Sequence, residues 1–109
     1  MELMFLFLVG HALCDFVLQS EAMGALKSRR KNLPAEHGPE FPPWYLWLSA
    51  HSLTHGGAVY LITGSWCLGA VESIMHAVID HLKCEGRTSI LQDQGLHIAC
   101  KLVYVLLLI

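Results

Sequence analysis

The chain alternates between four long apolar segments and polar connections, and this pattern limits its fold more than any other feature. The apolar segments cover residues 3–19, 44–62, 66–82 and 90–109. Each is 17 to 20 residues long, whereas β-strands rarely exceed about 10 residues, so these segments are predicted to be α-helices. All four prolines lie between Pro34 and Pro43, in a polar loop over about 27–43. The sequence therefore predicts an all-α fold.

Each predicted helix has the length needed to cross a membrane. A hydrocarbon layer about 30 Å thick takes about 20 helical residues. The composition agrees, because 54% of the residues are hydrophobic and only 15% are charged, against about 25% charged in an average soluble domain. We therefore expect a four-helix transmembrane bundle that forms one membrane domain over residues 1–109, with a small soluble bundle as the less favoured alternative.

Lysine and arginine predict the orientation of this bundle. Six of the seven lie in or beside the loops that follow the first and third helices, and the connection over 63–65 has none. Basic loops face the cytoplasm, so we expect a multi-pass protein of the inner membrane with these two loops cytoplasmic. A formal net charge of −2 argues against a nucleic-acid partner. The lateral surface of four short helices is compatible with a homo-oligomer.

Histidine and aspartate recur four residues apart in every predicted helix. The pairs are His11/Asp15, His51/His55, His76/Asp80 and Asp93/His97. Residues four apart share one helix face, so each helix is expected to present one pair to the interior at a similar depth. The first and third pairs both read H-A-x-x-D, which indicates two related helical hairpins. An antiparallel alignment of the third and fourth helices also places His76 beside His97 and Glu72 beside Lys101 as a salt bridge.

These eight side chains predict a metal site. Three aspartates in an apolar interior need compensation, and a divalent cation supplies it. Imidazole and carboxylate are ligands of zinc, with manganese or iron as alternatives, and eight ligands suffice for two ions. A structural or proton-handling hydrogen-bond network is the competing interpretation.

Two functions follow for a membrane protein with such a site. The first is a metal-dependent hydrolase acting on a membrane lipid or a phosphate-bearing ester, with Asp80 or Asp93 as the catalytic base and Lys83 and Arg87 binding the phosphate. The second is a non-catalytic membrane protein that binds or conducts metal ions or protons, or modulates a membrane complex.

A resemblance supports the same expectation. The run from His11 to Gln19 reads H-x-x-x-D-F-x-x-Q and is followed by H-x-x-x-H, H-x-x-x-D and D-Q-x-x-H motifs at His51, His76 and Asp93. In these motifs the chain resembles a family of small bacterial and phage integral-membrane proteins of unknown function. It is also similar to inner-membrane metal-dependent hydrolases, which implies His/Asp metal ligands on membrane helices.

Overall fold

The computed structural model describes residues 1–31 and 33–109, and the described chain forms six α-helices. They are α1 (Glu2–Ala12), α2 (Glu21–Leu26), α3 (Leu33–His37), α4 (Trp44–Thr63), α5 (Trp66–Cys84) and α6 (Ile90–Leu108). α1 continues directly into a π-helical turn over Leu13–Val17. The all-α prediction is confirmed, and the long helices begin and end close to the predicted bounds. The four-helix description is wrong, because α2 and α3 form two further short helices in the connection between α1 and α4.

The prediction of membrane-spanning helices is wrong. Within residues 1–31 and 33–109, no helix combines the length and the mean hydropathy that a membrane crossing requires. α1 is only 11 residues long. α4 contains histidine, serine and glycine, which lower its mean hydropathy, and α5 and α6 both carry charged residues in their middle.

Several other expectations depended on membrane-spanning helices. The transmembrane bundle, the inner-membrane location and the cytoplasmic assignment of the two loops are therefore wrong. Both functions predicted for an integral-membrane protein are wrong with them, the lipid or phosphate-ester hydrolase as well as the non-catalytic ion-handling or complex-modulating protein. The predicted partners, a membrane lipid and a second copy of the chain, stay predictions, as does the exclusion of nucleic acid.

The ends of the long helices are encoded locally. The Ser65 and Ser89 side chains cap α5 and α6 by accepting hydrogen bonds from backbone N–H groups of the first turn. Gln92 completes a capping box with Ser89. Gly64 ends α4 with φ 71°, a left-handed conformation that glycine adopts without a steric penalty. Gly64 and Ser65 form the two-residue turn that reverses the chain between α4 and α5.

α4 and α5 approach each other through two glycines. A Cβ atom built on Gly56 would lie 2.4 Å from the Gly69 carbonyl oxygen and 1.9 Å from Ser73 Oγ. A Cβ on Gly69 would lie 2.8 Å from the Gly56 oxygen. Only glycine permits this separation of the two backbones, and the contact fixes the position of the α4 histidines relative to α5.

The interior of the molecule is unusually polar. Phe7, Val59 and Tyr104 form a buried apolar cluster between α1, α4 and α6. Elsewhere in the described chain, buried polar residues outnumber buried apolar ones. They include five histidines, two lysines, one glutamate and two aspartates. Buried polar and charged groups are costly unless they are paired with one another or with an ion. How these side chains pair therefore decides what the centre of the molecule can do.

Candidate metal centre

Four side chains from three elements converge in the middle of the molecule. Asp15 comes from the π-helical turn, His51 and His55 from α4, and His76 from α5. One ligand atom of each lies within 4.8 Å of the others. The three histidines are 1% to 2% exposed, so they are withdrawn from water and arranged as a potential ligand set.

The distances around Asp15 suit a tetrahedral ion. Asp15 Oδ1 lies 2.9 Å from His55 Nε2, 3.3 Å from His51 Nε2 and 3.9 Å from His76 Nε2. Zinc bonds of about 2.0–2.1 Å at tetrahedral angles place ligand atoms about 3.3 Å apart. The observed separations bracket this value, so small side-chain adjustments would bring all four atoms to bonding distance of one ion.

The π-helical turn that follows α1 carries Asp15 into this centre. Leu18 N donates to the Leu13 carbonyl oxygen at 2.8 Å, a bond that spans five residues instead of four. The wider turn still leaves His11 and Asp15 on the same side, with His11 Nε2 3.3 Å from Asp15 Oδ2. Such π-helical insertions occur frequently at functional sites.

The protonation states favour metal binding at neutral pH. Burial lowers the pKa of His55 to about 4 and the pKa of His76 to about 3, so both imidazoles are neutral, as ligation requires. Burial raises the pKa of Asp15, but the neighbouring His11, His51 and His55 imidazoles and the Gln94 amide outweigh this and lower the pKa below the usual range. The centre therefore combines one carboxylate with two imidazoles, those of His55 and His76, that are neutral at pH 7.

Several buried nitrogens of this cluster lack partners. Among the residues that the structure describes, His51 Nε2 and both ring nitrogens of His76 have no hydrogen-bond partner in the protein. Buried polar atoms are nearly always satisfied by protein, water or an ion. The Nε2 atoms of His51 and His76 lie 3.3 Å and 3.9 Å from the same Asp15 oxygen, so the donor set fits a metal ion at this position.

A second group shares His76. Glu72, His76 and His97 also offer ligand atoms within 4.8 Å of one another, and the rings of the two histidines stack with centroids 4.2 Å apart. Glu72 is bound by Lys101 Nζ and accepts a 2.9 Å hydrogen bond from Tyr104 Oη. The predicted Glu72–Lys101 salt bridge and the proximity of His76 to His97 are thus confirmed.

Asp80 is paired with Lys27, which lies at the start of the polar loop predicted over about 27–43. Lys27 Nζ donates to Asp80 Oδ2 at 2.5 Å and to Gln19 Oε1 at 2.7 Å, and Lys27 is only 2% exposed. Burial raises the pKa of Asp80, but the charge and hydrogen bond of Lys27 outweigh this and lower it. Asp80 Oδ2 still lies 3.6 Å from His51 Nε2, so it borders the centre without belonging to the four-residue group.

Gln94 links the remaining predicted ligands. Its amide nitrogen donates to Asp15 Oδ2 at 2.9 Å and to Asp93 Oδ2 at 3.1 Å, and its oxygen lies 3.0 Å from His11 Nε2. Asp93 Oδ1 lies 3.5 Å from His97 Nε2. His11 and Asp93 therefore lie beside the centre, oriented by an amide, and neither belongs to the two groups of convergent ligand atoms.

The two residues predicted to bind a phosphate lie in different environments. Lys83 Nζ lies 3.4 Å from Asp80 Oδ1 and 3.9 Å from Asp93 Oδ2, and its side chain is 26% exposed. Arg87 is exposed on the turn between α5 and α6. Binding of a phosphate by these two residues, and a catalytic role for Asp80 or Asp93, stay predictions.

Sequence reasoning missed three of the side chains that complete this region. Lys27 lies outside any helical repeat, so spacing gave no signal for it. Gln94 appeared only as part of the D-Q-x-x-H motif, and Tyr104 lay within an apolar run. Of these, only Gln94 could have been found, because it is adjacent to Asp93.

The chain was also compared with known proteins. A family model described as "Protein of unknown function (DUF3307)" matches residues 3–109. The chain belongs to this family. No curated protein and no solved structure matches it significantly. The family supplies no activity, so the function must be argued from the site itself.

Proposed function

We propose that this protein binds a divalent transition-metal ion through Asp15, His51, His55 and His76. The proposal depends chiefly on one observation: four ligand atoms of metal-binding type converge within 4.8 Å in a buried centre. Among the described residues, the Nε2 atoms of His51 and His76 have no hydrogen-bond partner in the protein. Hydrogen bonding within the cluster therefore does not account for these two nitrogens, whereas an ion at their meeting point would satisfy both.

The donor set favours zinc. Imidazole nitrogens and carboxylate oxygens both bind zinc, and four ligands match the tetrahedral coordination that zinc prefers. For a given site, zinc also binds more tightly than divalent manganese or iron. Manganese and iron remain the alternatives, and both would be expected to bind more weakly here.

The surroundings of the ligands fit a permanent rather than a transient ion. Metal-bound histidines usually donate their second ring N–H to a carboxylate or another acceptor, which fixes the ring. His76 Nδ1 lies 3.7 Å from Glu72 Oε1, close enough for such a bond after a small movement. Gln94 holds the second oxygen of Asp15, so Asp15 Oδ1 faces the histidines and would exchange its hydrogen bond with His55 Nε2 for the metal.

Metal analysis of the purified protein tests the proposal. We expect about one zinc ion per chain after exposure to excess zinc and removal of unbound ion, as for other structural four-ligand sites. The variants His51→Ala and Asp15→Asn should lose tight binding, because each removes one ligand. His37→Ala is the matched control, because the His37 side chain is 47% exposed and contacts Glu36 rather than the centre.

Cobalt substitution gives an independent measurement. Tetrahedral cobalt bound by histidines should produce visible absorption bands that His51→Ala weakens and His37→Ala leaves unchanged. Wild-type protein that folds and binds neither zinc nor cobalt would refute the proposal. Unchanged affinity in both ligand variants would refute the assignment of the ligands.

A further inference from the structure

We propose that Lys101 takes the place of a second metal ion and so restricts the centre to a single ion. This inference rests on the proposed metal-binding function and addresses how many ions the centre holds. The relevant residues are the group formed by Glu72, His76 and His97, which offers ligand atoms of the same types as the first group and shares one histidine with it.

The carboxylate of the second group is paired with a lysine, whereas that of the first group contacts imidazoles and an amide. Asp15 contacts His11, His51, His55 and Gln94. Glu72, by contrast, is bound by the Lys101 ammonium through Oε1 and by the Tyr104 hydroxyl through Oε2. Both Glu72 and Lys101 are 1% to 2% exposed, so this ion pair is a permanent part of the interior.

The charges around the histidines support a single ion. The carboxylates of the region are Asp15, Glu72, Asp80 and Asp93, and its ammonium groups are Lys27, Lys83 and Lys101. These four carboxylates and three ammonium groups leave one negative charge in excess. One divalent ion reverses this excess to one positive charge, and a second ion would add two more in a region of low dielectric.

His76 couples the two groups chemically. Its Nε2 faces Asp15 and its Nδ1 faces Glu72. A second ion bound at Nδ1 would make the ring a bridge between two metals. The Lys101–Glu72 pair opposes this arrangement, because Lys101 already occupies Glu72 Oε1 and supplies the positive charge that a second ion would bring.

Removal of the lysine charge is therefore expected to open the second position. In Lys101→Met the region has two negative charges in excess, so a second zinc ion would approach a neutral centre rather than a positive one. Glu72 and His97 would bind it together with His76. The double variant Glu72→Gln/Lys101→Met is the matched control, because it removes the lysine and also the carboxylate that the second ion needs.

Counting zinc ions per chain tests the inference. We expect about one for the wild type, about two for Lys101→Met, and about one for the double variant, each measured after excess zinc and removal of unbound ion. Lys101→Gln, which keeps a hydrogen bond to Glu72 without the charge, is used in the same way if Lys101→Met does not fold. It should also bind about two ions.

The outcomes separate this inference from the proposed function. A wild-type protein that binds two zinc ions, or a folded Lys101→Met or Lys101→Gln protein that binds one, would overturn the role of Lys101 while leaving metal binding intact. A wild-type protein that binds none would overturn the proposed function itself.

Discussion

Mild acid is predicted to destabilise the metal-free protein. Burial holds the pKa of His55 at about 4 and that of His76 at about 3 in the folded chain, whereas an unfolded histidine titrates near pH 6.5. Between these values the unfolded chain takes up protons that the folded chain does not, so falling pH favours unfolding. The stabilising contribution is complete above about pH 6.5 and is lost as the pH falls toward the folded pKa values.

The size of the effect follows from the two pKa differences. At pH 5 each imidazole is mostly protonated in the unfolded chain and mostly neutral in the folded one. The linkage relation then gives a loss of about 2 kcal/mol per histidine between pH 7 and pH 5, or about 4 kcal/mol for both. The lowered pKa values of Glu72 and Asp80 act in the same direction, but mainly below about pH 4, where unfolded carboxyl groups become protonated.

Urea unfolding in the presence of a chelator measures this loss. The free energy of unfolding is obtained from tryptophan fluorescence at pH 7 and at pH 5. His55→Gln removes one titrating group, so its loss between the two pH values should fall to about 2 kcal/mol. A wild-type free energy that is equal at both pH values, or higher at pH 5, would refute the assignment of neutral buried imidazoles.

Three further predictions concern residues that position the centre, all measured as the free energy of unfolding in urea. Lys27→Met should cost about 3 kcal/mol, because it removes the buried cation next to the Asp80 carboxylate and leaves only Lys83, at 3.4 Å; Lys27→Met/Asp80→Asn should recover part of the loss, and equal losses in both would contradict the pairing. Gly56→Ala should cost about 1–3 kcal/mol through the collision with α5. Gly57→Ala, where a Cβ meets no atom within 4 Å, should be neutral or stabilising, and equal costs at both glycines would rule out the close contact. Ser89→Ala should cost about 1 kcal/mol by removing the α6 cap, and an unchanged value would show that the cap adds no stability.

The helices and part of the centre could be predicted because both depend on local spacing. The apolar segment over 44–62 corresponds to α4 at Trp44–Thr63, and the four-residue repeat placed His51 and His55 on the face that lies against His76. The antiparallel alignment of α5 and α6 also gave the Glu72–Lys101 pair correctly, since it follows from helical rise alone.

The remaining features depend on contacts between distant parts of the chain. Lys27 reaches Asp80 across 53 residues, and no local pattern marks a loop lysine as buried. Asp80 and Asp93 look identical to Asp15 in sequence spacing, yet they border lysines and are not in the convergent group. The membrane prediction failed because helix length was given more weight than the polar residues within each segment.

The π-helical turn makes the first helix sensitive to the deletion of a residue. A π turn holds one residue more than an α turn. The turn over Leu13–Val17 therefore changes the rotation of the chain after it relative to the helix before it. Deletion of Phe16, which is 70% exposed and faces away from the centre, would rotate these two parts relative to each other by about 100°. Substitution of that phenylalanine changes only a surface side chain, whereas its removal would move His11 and the chain that leads to Lys27 out of register. At position 16 the presence of a residue is therefore more tightly constrained than its identity.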